Sequence, residues 1–216
     1  GDGSFTQAAV VIKDNKLIEE RYRGILDGEL ATVTASLGLD ATTINGLFGT
    51  KDKDSLASSW STAKSFASVL VGIALEQGLI TSLSESASVY ITEWADDERA
   101  TITLRQLLDM RSGMPTACFD QTTGSLGVCA TAEGSGGDLV FSSNQMDACL
   151  ARELAETGVI QPWYSNTVVY QAGAWLYSNC DTMVIGEILY RATGNDLETY
   201  ADINFLSYLG LTANWW

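Results

Sequence analysis

The sequence predicts an α/β protein with its strands at the start of the chain and helices over most of the remainder. Two short apolar segments, 8–13 and 17–22, flank the turn residues Asp14 and Asn15 and indicate a β-hairpin. Beyond residue 60, apolar residues recur with helical spacing between capping residues and glycines. The chain has 216 residues, 46% of them hydrophobic, so it can bury the core of one domain, or of a domain with a subdomain.

The segments after the hairpin each carry a local signal. Residues 24–59 lack a sustained apolar period, which predicts a long connection. Five later segments have the spacing and end signals of helices: 61–78, 103–110, 145–157, 181–193 and 197–208. We expect Thr101 or Thr103 to cap the second of these helices and Asp181 to cap the fourth. Glycines are expected to end them, at Gly78, Gly113, Gly158 and Gly194.

Two further segments are predicted to be irregular. Residues 79–90 contain serine breakers and indicate a loop. Residues 114–144 are rich in Gly, Ser and Thr and are too long for a plain connector, which predicts a wall or lid over a site. A hairpin alone is too small a sheet to cover five helices, because two strands need further strands or a partner surface. The sequence therefore predicts that strands are missing from the sheet.

Charge and hydropathy exclude several classes of partner. The net charge is −15, from 27 acidic and 12 basic residues. This charge repels phosphate backbones and anionic lipids, so we expect no nucleic-acid partner and a heavily solvated acidic surface. The longest apolar run, residues 66–75, is too short to cross a bilayer, so we expect no membrane insertion.

The four cysteines bear on the compartment. The chain has no histidine and no Cys-x-x-Cys pair, so a zinc site is not expected. Cys118 and Cys129 bracket a Gly-, Thr- and Ser-rich loop, whereas Cys149 and Cys180 fall in or beside predicted helices. We predict one bridge, Cys118 to Cys129, in a periplasmic or secreted protein. The alternative, almost equally open, is four reduced cysteines in a cytoplasmic protein.

A candidate nucleophile lies at the start of the first predicted helix. Ser61 precedes Lys64 by three residues, so the two side chains share a helix face and can form a hydrogen bond. Without histidine, the base that takes the serine proton would have to be this lysine in its neutral form. The spacing alone is weak evidence, because 20 serines and 5 lysines give about 0.5 such pairs by chance. The alternative is a capping serine beside an incidental lysine.

A second proton carrier is predicted at Tyr177. It opens Tyr177-Ser178-Asn179, immediately before a capped helix, where a phenol and an amide would lie beside the helix start. Tyr164-Ser165-Asn166 has the same letters, but β-branched residues rather than a helix follow it. We therefore favour Tyr177 and keep Tyr164 as the alternative.

These residues occur in an order that resembles a known family. Ser61-Thr-Ala-Lys64, the segment 107–114 (Leu-Leu-Asp-Met-Arg-Ser-Gly-Met) and Tyr177-Ser-Asn179 are similar to the ordered motifs of the penicillin-recognising serine hydrolases. That family includes class C β-lactamases, DD-peptidases, carboxylesterases and 6-aminohexanoate-dimer hydrolases. The Leu-Leu-x-x-x-Ser-Gly spacing and the opening segment 5–24 resemble most the carboxylesterase and 6-aminohexanoate-dimer hydrolase branch.

The resemblance implies a fold. It implies an antiparallel sheet flanked by helices, an all-α subdomain, and an active site between them. Residues 1–80 would hold the hairpin and the nucleophile helix of the α/β domain. Residues 81–195 would form the helical subdomain with its long active-site loop, and 196–216 a helix returning towards the α/β domain.

The resemblance also implies roles for the site residues. Ser61 would attack the acyl carbon, Lys64 would act as base, and Tyr177 would pass the proton to the leaving group. Asn179 would bind the substrate amide, and the backbone N–H of Ser61 would form half of an oxyanion hole. No cofactor is implied.

The chain departs from the family pattern after the tyrosine. The family's third motif, a Lys/His/Trp-Thr/Ser/x-Gly element on an inner strand, would lie beyond Trp216, and the second half of the oxyanion hole would lie there too. We therefore expect this chain to lack C-terminal strands and to work with a second polypeptide that supplies the C-terminal half of the domain.

Function is predicted at the level of the reaction. The leading prediction is a serine hydrolase that forms an acyl-enzyme through a Ser-Lys-Tyr relay and cleaves a small ester or linear amide. The alternative within this class is a β-lactamase or DD-peptidase. An alternative of another class is a penicillin-binding fold used as a sensor or scaffold, with the serine kept and turnover lost.

Overall fold

A computed structural model describes residues 6–56, 59–114, 117–120, 125–128, 143–154, 160–163, 166–169 and 173–213, with the four short segments among these described by their backbone. Contacts along the chain divide it into two units, Gly1–Ser59 and Trp60–Trp216. The domain boundaries expected near residues 80 and 195 stay a prediction.

The first unit begins with the predicted hairpin. Strand β1 (Ala8–Lys13) pairs antiparallel with β2 (Lys16–Tyr22). Asp14 and Asn15 connect them with φ of 52° and 58°, the left-handed pair that a two-residue hairpin turn requires. The apolar side chains of both faces are exposed, to 56% at Val10 and 52% at its neighbour Val11, which points to the opposite face. Within the first unit, the described residues cover neither face of this hairpin.

Two helices follow where the sequence predicted a connection, so the prediction for 24–59 is wrong. Helix α1 (Asp27–Leu37) and helix α2 (Ala41–Phe48) each bury a single residue, Val33 and Ile44 respectively. This sparse burial explains why no apolar period is visible in the sequence. The caps specify these helices instead: Gly38 ends α1 in the left-handed conformation, and the Asp40 carboxylate accepts the backbone N–H groups that begin α2.

The second unit is mostly helical. The α-helices among its described residues are α3 (Ala63–Glu76), α4 (Leu104–Leu108), α5 (Gln145–Leu150), α6 (Asn179–Thr193) and α7 (Leu197–Ala201). A 3₁₀ turn, Trp60–Thr62, leads into α3, and helical turns continue α7 as far as Leu209. None of the helices in the described ranges has both the length and the apolar character needed to cross a membrane.

The core of this unit surrounds α6, which packs against α3, α4, α5 and α7. Fully buried apolar side chains from these elements and their connections fill it; they include Leu70, Ala74, Trp94, Leu107, Ile188 and Leu189. Burying each large one contributes about 1.5–3 kcal/mol to stability. The indole of Trp94 also donates a hydrogen bond to the Leu150 carbonyl at 3.0 Å. These contacts fix α6 relative to α3, which is the relation that assembles the site.

The helix ends correct two predictions. Helix α5 ends at Leu150 rather than at 157, because Trp94 and Arg99 donate to the Leu150 carbonyl, and Arg99 also to that of Arg152. Helix α6 is capped by Ser178 and not by Asp181: the Ser178 hydroxyl accepts the Asp181 N–H at 3.1 Å. At α4 the prediction is confirmed, because Thr103 and Gln106 form a reciprocal capping box.

Strands are not confined to the start of the chain. Within the segment predicted to be an irregular wall or lid, β3 (Ala117–Asp120) pairs antiparallel with β4 (Ser125–Val128). Farther on, β5 (Ile160–Trp163) pairs antiparallel with β6 (Asn166–Val169). Each sheet among the described residues is therefore a two-stranded hairpin of sequence neighbours.

A disulfide joins Cys149 in α5 to Cys180 in α6. The sequence predicts a bridge between a different pair, because the packing of α5 on α6 that brings these two thiols together has no local signal. The predicted Cys118–Cys129 bridge stays a prediction, since Cys129 and the side chain of Cys118 lie outside the described residues.

Candidate active site

Ser61 lies in the 3₁₀ turn that begins the nucleophile helix. It is exposed and stands two residues before Ala63, the first residue of α3. The first N–H groups of a helix have no partner within the helix, and the positive end of its dipole favours a developing negative charge there. The preceding residue, Trp60, has a left-handed backbone with φ of 45°. Ser61 therefore occupies the helix start that the sequence predicted.

Lys64 lies one helical turn after Ser61 and points to the same place. Its Nζ donates a hydrogen bond to Ser61 Oγ at 3.2 Å, and its side chain is half-buried. The contact has the i, i+3 spacing from which it was predicted.

Tyr177 contacts the same hydroxyl from a distant part of the sequence. Its hydroxyl donates to Ser61 Oγ at 2.5 Å, although 116 residues separate the two in sequence. The Lys64 Nζ also lies 5.1 Å from the centroid of the tyrosine ring, within range of a cation–π contact. Two of the four predicted site residues, Lys64 and Tyr177, thus donate to the hydroxyl oxygen of a third, Ser61.

This environment shifts the titration of the phenol. Partial burial raises the pKa of Tyr177, but the hydrogen bonds with Ser61 and Lys64 and the positive charge of Lys64 together lower it more. The pKa of Tyr177 is therefore below its ordinary value of 10.0. A phenol that gives up its proton more easily is suited to passing protons between a serine, an amine and a leaving group.

Asn179, the fourth predicted residue, is the first residue of α6 and is exposed. Its side chain forms no hydrogen bond with the other three within the described part of the chain. Asn179 thus lies two residues after Tyr177 and is exposed, but it is not joined to Ser61, Lys64 or Tyr177 by a side-chain hydrogen bond among the described residues.

Of the alternative Tyr164-Ser165-Asn166, Tyr164 and Ser165 lie outside the described residues, and Asn166 is the first residue of β6. A strand follows this triplet rather than a helix, as its β-branched residues predicted. The structure brings the favoured candidate, Tyr177, to Ser61.

A turn at 110–114 forms hydrogen bonds with residues on both sides of Tyr177, and the sequence predicted no role for this turn. The Leu176 N–H donates to the Met110 carbonyl at 3.0 Å, and the Arg111 guanidinium donates to the Gly173 carbonyl at 2.7 Å. The hydroxyl of Ser112 donates to the Asp181 carboxylate at 2.8 Å. The only sequence signal for this turn is Arg111-Ser112-Gly113, within the segment that resembles a family motif.

Comparison with known proteins places this chain in a family. The family model named Beta-lactamase matches residues 5–216. The crystal structure of a protein from Bacteroides dorei DSM 17855, assigned as a beta-lactamase, superposes with a TM-score of 0.60 at 16% identity. The match covers 95% of this chain and 46% of that one, so this chain spans about half the length of the solved relative and shares that part of its fold. Comparison with the curated proteins finds no match.

Proposed function

Because this chain belongs to the beta-lactamase family, we propose that it is a serine hydrolase that forms an acyl-enzyme on Ser61 and cleaves a small ester or linear amide. The observation that carries the proposal is the double contact on one oxygen: Ser61 Oγ accepts from both Lys64 and Tyr177. In a chain without histidine, these are groups that can move the serine proton.

The acylation step follows from these contacts. Neutral Lys64 accepts the Ser61 proton as Oγ attacks the carbonyl carbon, and the carbonyl oxygen becomes an oxyanion. Tyr177 then donates its proton to the leaving oxygen or nitrogen and is reprotonated from Lys64. The bond to the leaving group breaks as the carbonyl re-forms, which leaves an ester on Ser61. Water hydrolyses this ester by the same steps, with water in the place of the serine hydroxyl.

Two groups are proposed to bind the substrate. The Ser61 N–H at the helix start would donate to the oxyanion, and a donor on a strand outside this chain would complete the hole. The exposed Asn179 amide would bind the substrate carbonyl or amide.

The substrate class is proposed from the branch that the sequence resembles. The segments quoted above resemble the carboxylesterases and 6-aminohexanoate-dimer hydrolases, whose substrates are esters and linear amides. Turnover of a β-lactam or a DD-peptide is the alternative, and it uses the same acylation chemistry. Stable acylation without turnover would mark a sensor or scaffold.

We further propose that additional strands, on a second polypeptide or segment, complete the domain. The exposed apolar faces of β1 and β2 motivate this proposal, because an isolated hairpin is marginal in water and exposed apolar strands attract further strands. The disulfide is consistent with an oxidising compartment, which supports a periplasmic or secreted location.

The test is covalent labelling of the full gene product. A fluorophosphonate should add one label to the wild type, mapped to Ser61, and none at that position in Ser61→Ala. Ser59→Ala is the matched control, since Ser59 is also exposed and lies two residues away. A label that persists in Ser61→Ala would contradict the proposal.

Substrates then separate the alternatives. Turnover of a p-nitrophenyl ester by the labelled serine supports the esterase proposal. Turnover of a chromogenic cephalosporin with a slow ester reaction would favour the β-lactamase alternative. A fluorescent penicillin that stays bound without turnover would favour the sensor.

A further inference from the structure

Asp181 is a buried carboxylate that the proposed reaction does not use. It lies in the first turn of α6, four residues after Tyr177, and its exposed fraction is 0%. One oxygen, Oδ1, accepts the Ser112 hydroxyl at 2.8 Å; the other, Oδ2, has no hydrogen-bond partner in the described part of the chain. Ser112 is itself 8% exposed and accepts the Met114 N–H at 3.2 Å. The hydrogen bond between Ser112 and Asp181 therefore joins α6 to the 110–114 turn inside the core.

A buried carboxylate in this position contributes little to the stability of the fold. Burial raises the pKa of Asp181 to about 6, against the opposing effects of the Ser178 and Ser112 hydrogen bonds and the Arg152 charge. Apolar residues of similar size often replace buried charges without loss of stability. The contact of Asp181 with Ser112, between α6 and the 110–114 turn, points instead to a role in holding these two elements together.

The 110–114 turn holds the chain on both sides of Tyr177. On the N-terminal side, the Met110 carbonyl accepts the Leu176 N–H at 3.0 Å. On the C-terminal side, Ser112 holds Asp181. Met110 has φ of 54°, a left-handed conformation that a residue with a side chain adopts rarely and that the surrounding contacts must maintain. Tyr177 is therefore fixed between two anchors on one turn.

We propose that Asp181 is a positioning residue that acts with Ser112 to hold the Tyr177 hydroxyl against Ser61 Oγ. The proposal rests on the proposed function of Tyr177 as proton carrier. Its physical basis is distance: the phenol reaches Ser61 at 2.5 Å, and a displacement of about 1 Å can lower the rate of a positioned reaction 10²-fold.

The first measurement does not depend on activity. The phenol of Tyr177 should titrate below the ordinary tyrosine pKa of 10.0, and Tyr177→Phe identifies its signal in ultraviolet absorbance or tyrosine-labelled NMR spectra. Ser112→Ala, and the double variant Ser112→Ala with Asp181→Leu, should move this titration up towards 10, because Lys64 and Ser61 no longer hold the phenol. The double variant removes the buried carboxylate and its hydroxyl donor together, so neither group is left buried without the other.

Thr199→Val is the matched control. It deletes the Thr199 hydroxyl that donates to Asp196 at 2.9 Å in the same unit, at the start of the next helix. This variant, and Ser112→Thr, which keeps the hydroxyl, should leave the Tyr177 titration unchanged. An unchanged titration in the folded double variant would overturn the proposal.

The second measurement is the acylation rate. Ser112→Ala should slow labelling of Ser61 about 10- to 100-fold with little change in the concentration for half-saturation. In a Tyr177→Phe background the same substitution should cause no further loss, because its effect passes through the phenol. Equal losses in both backgrounds would overturn the proposal. If Ser61 is not acylated at all, the proposed function fails, and the titration still decides the role of Asp181.

Discussion

At the scale of residues, the site divides the work of an imidazole between an amine and a phenol. Lys64 and Tyr177 both contact Ser61 Oγ, and they contact each other through the ring face. The ordinary pKa values of both groups lie near 10, far above that of histidine. The proposed step needs the amine neutral and the phenol protonated, so loss of the phenol proton at high pH slows the reaction.

The first prediction at this scale concerns the relay. Tyr177→Phe should lower the rate of Ser61 acylation by roughly 10² to 10⁴ with little change in substrate affinity, because proton transfer matters mainly in the transition state. The wild-type rate should fall as the pH rises through an inflection below 10, the direction in which the Tyr177 pKa is shifted, because the proposed step needs the protonated phenol. This inflection should be absent from the variant.

Tyr164→Phe is the control for that measurement, since Tyr164 opens the same three letters. It should keep the wild-type rate and pH profile. A fully active Tyr177→Phe beside an inactive Tyr164→Phe would show that the wrong triplet was chosen.

The site residues that sequence could predict are those with a local signal. Ser61 and Lys64 share one helical turn, and Tyr177 was favoured because a capped helix follows it. Ser112 and Asp181 are 69 residues apart, and nothing near either residue indicates that they meet. Asp181 was even predicted as an N-cap, because an aspartate at a helix start ordinarily fills that role.

At the scale of elements, capping residues and terminal glycines predicted a helix better where an apolar pattern accompanied them. Helices α3 and α6 have both and were predicted within a few residues. Helices α1 and α2 bury one residue each, and their caps alone did not suffice. The bridge between α5 and α6 depends on packing between segments 31 residues apart, which no local pattern shows.

That bridge gives the prediction at this scale. Replacing Cys149 and Cys180 by alanine should lower the free energy of unfolding by about 3–4 kcal/mol, the chain-entropy value for a loop of this length. Thermal denaturation of the variant and the wild type measures the difference, and adding reductant to the wild type should lower its melting temperature as well. Non-reducing peptide mapping that finds either thiol free would contradict the structure at this point.

At the scale of the whole molecule, the apolar surface and the net charge act against each other. A charge of −15 keeps chains apart in solution, whereas the exposed faces of β1 and β2 favour association with further strands. The proposed completion of the domain resolves this opposition by covering the hairpin.

The prediction at this scale uses the hairpin itself. In the full gene product, Val11→Thr with Ile18→Thr should destabilise by about 1–3 kcal/mol, because both side chains would be buried under further strands. In the 216-residue chain by itself, where Val11 and Ile18 are 52% and 58% exposed, the same pair should change stability by less than about 0.5 kcal/mol.

Glu19→Thr and Glu20→Thr on the same strand are the controls and should have little effect in either protein. If the apolar pair is neutral in the full gene product as well, the hairpin is not covered and the proposed completion is wrong.

The three hairpins have a consequence for the order in which the molecule folds. Each of them joins strands adjacent in sequence, so their strand pairing closes only short loops and can form early. The site, by contrast, needs Ser61 and Tyr177 to meet across 116 residues, through the packing of α6 on α3. Contacts of such separation bear the full entropy of loop closure and form late. Labelling of Ser61 during refolding should therefore report the final docking of the helices rather than the appearance of secondary structure.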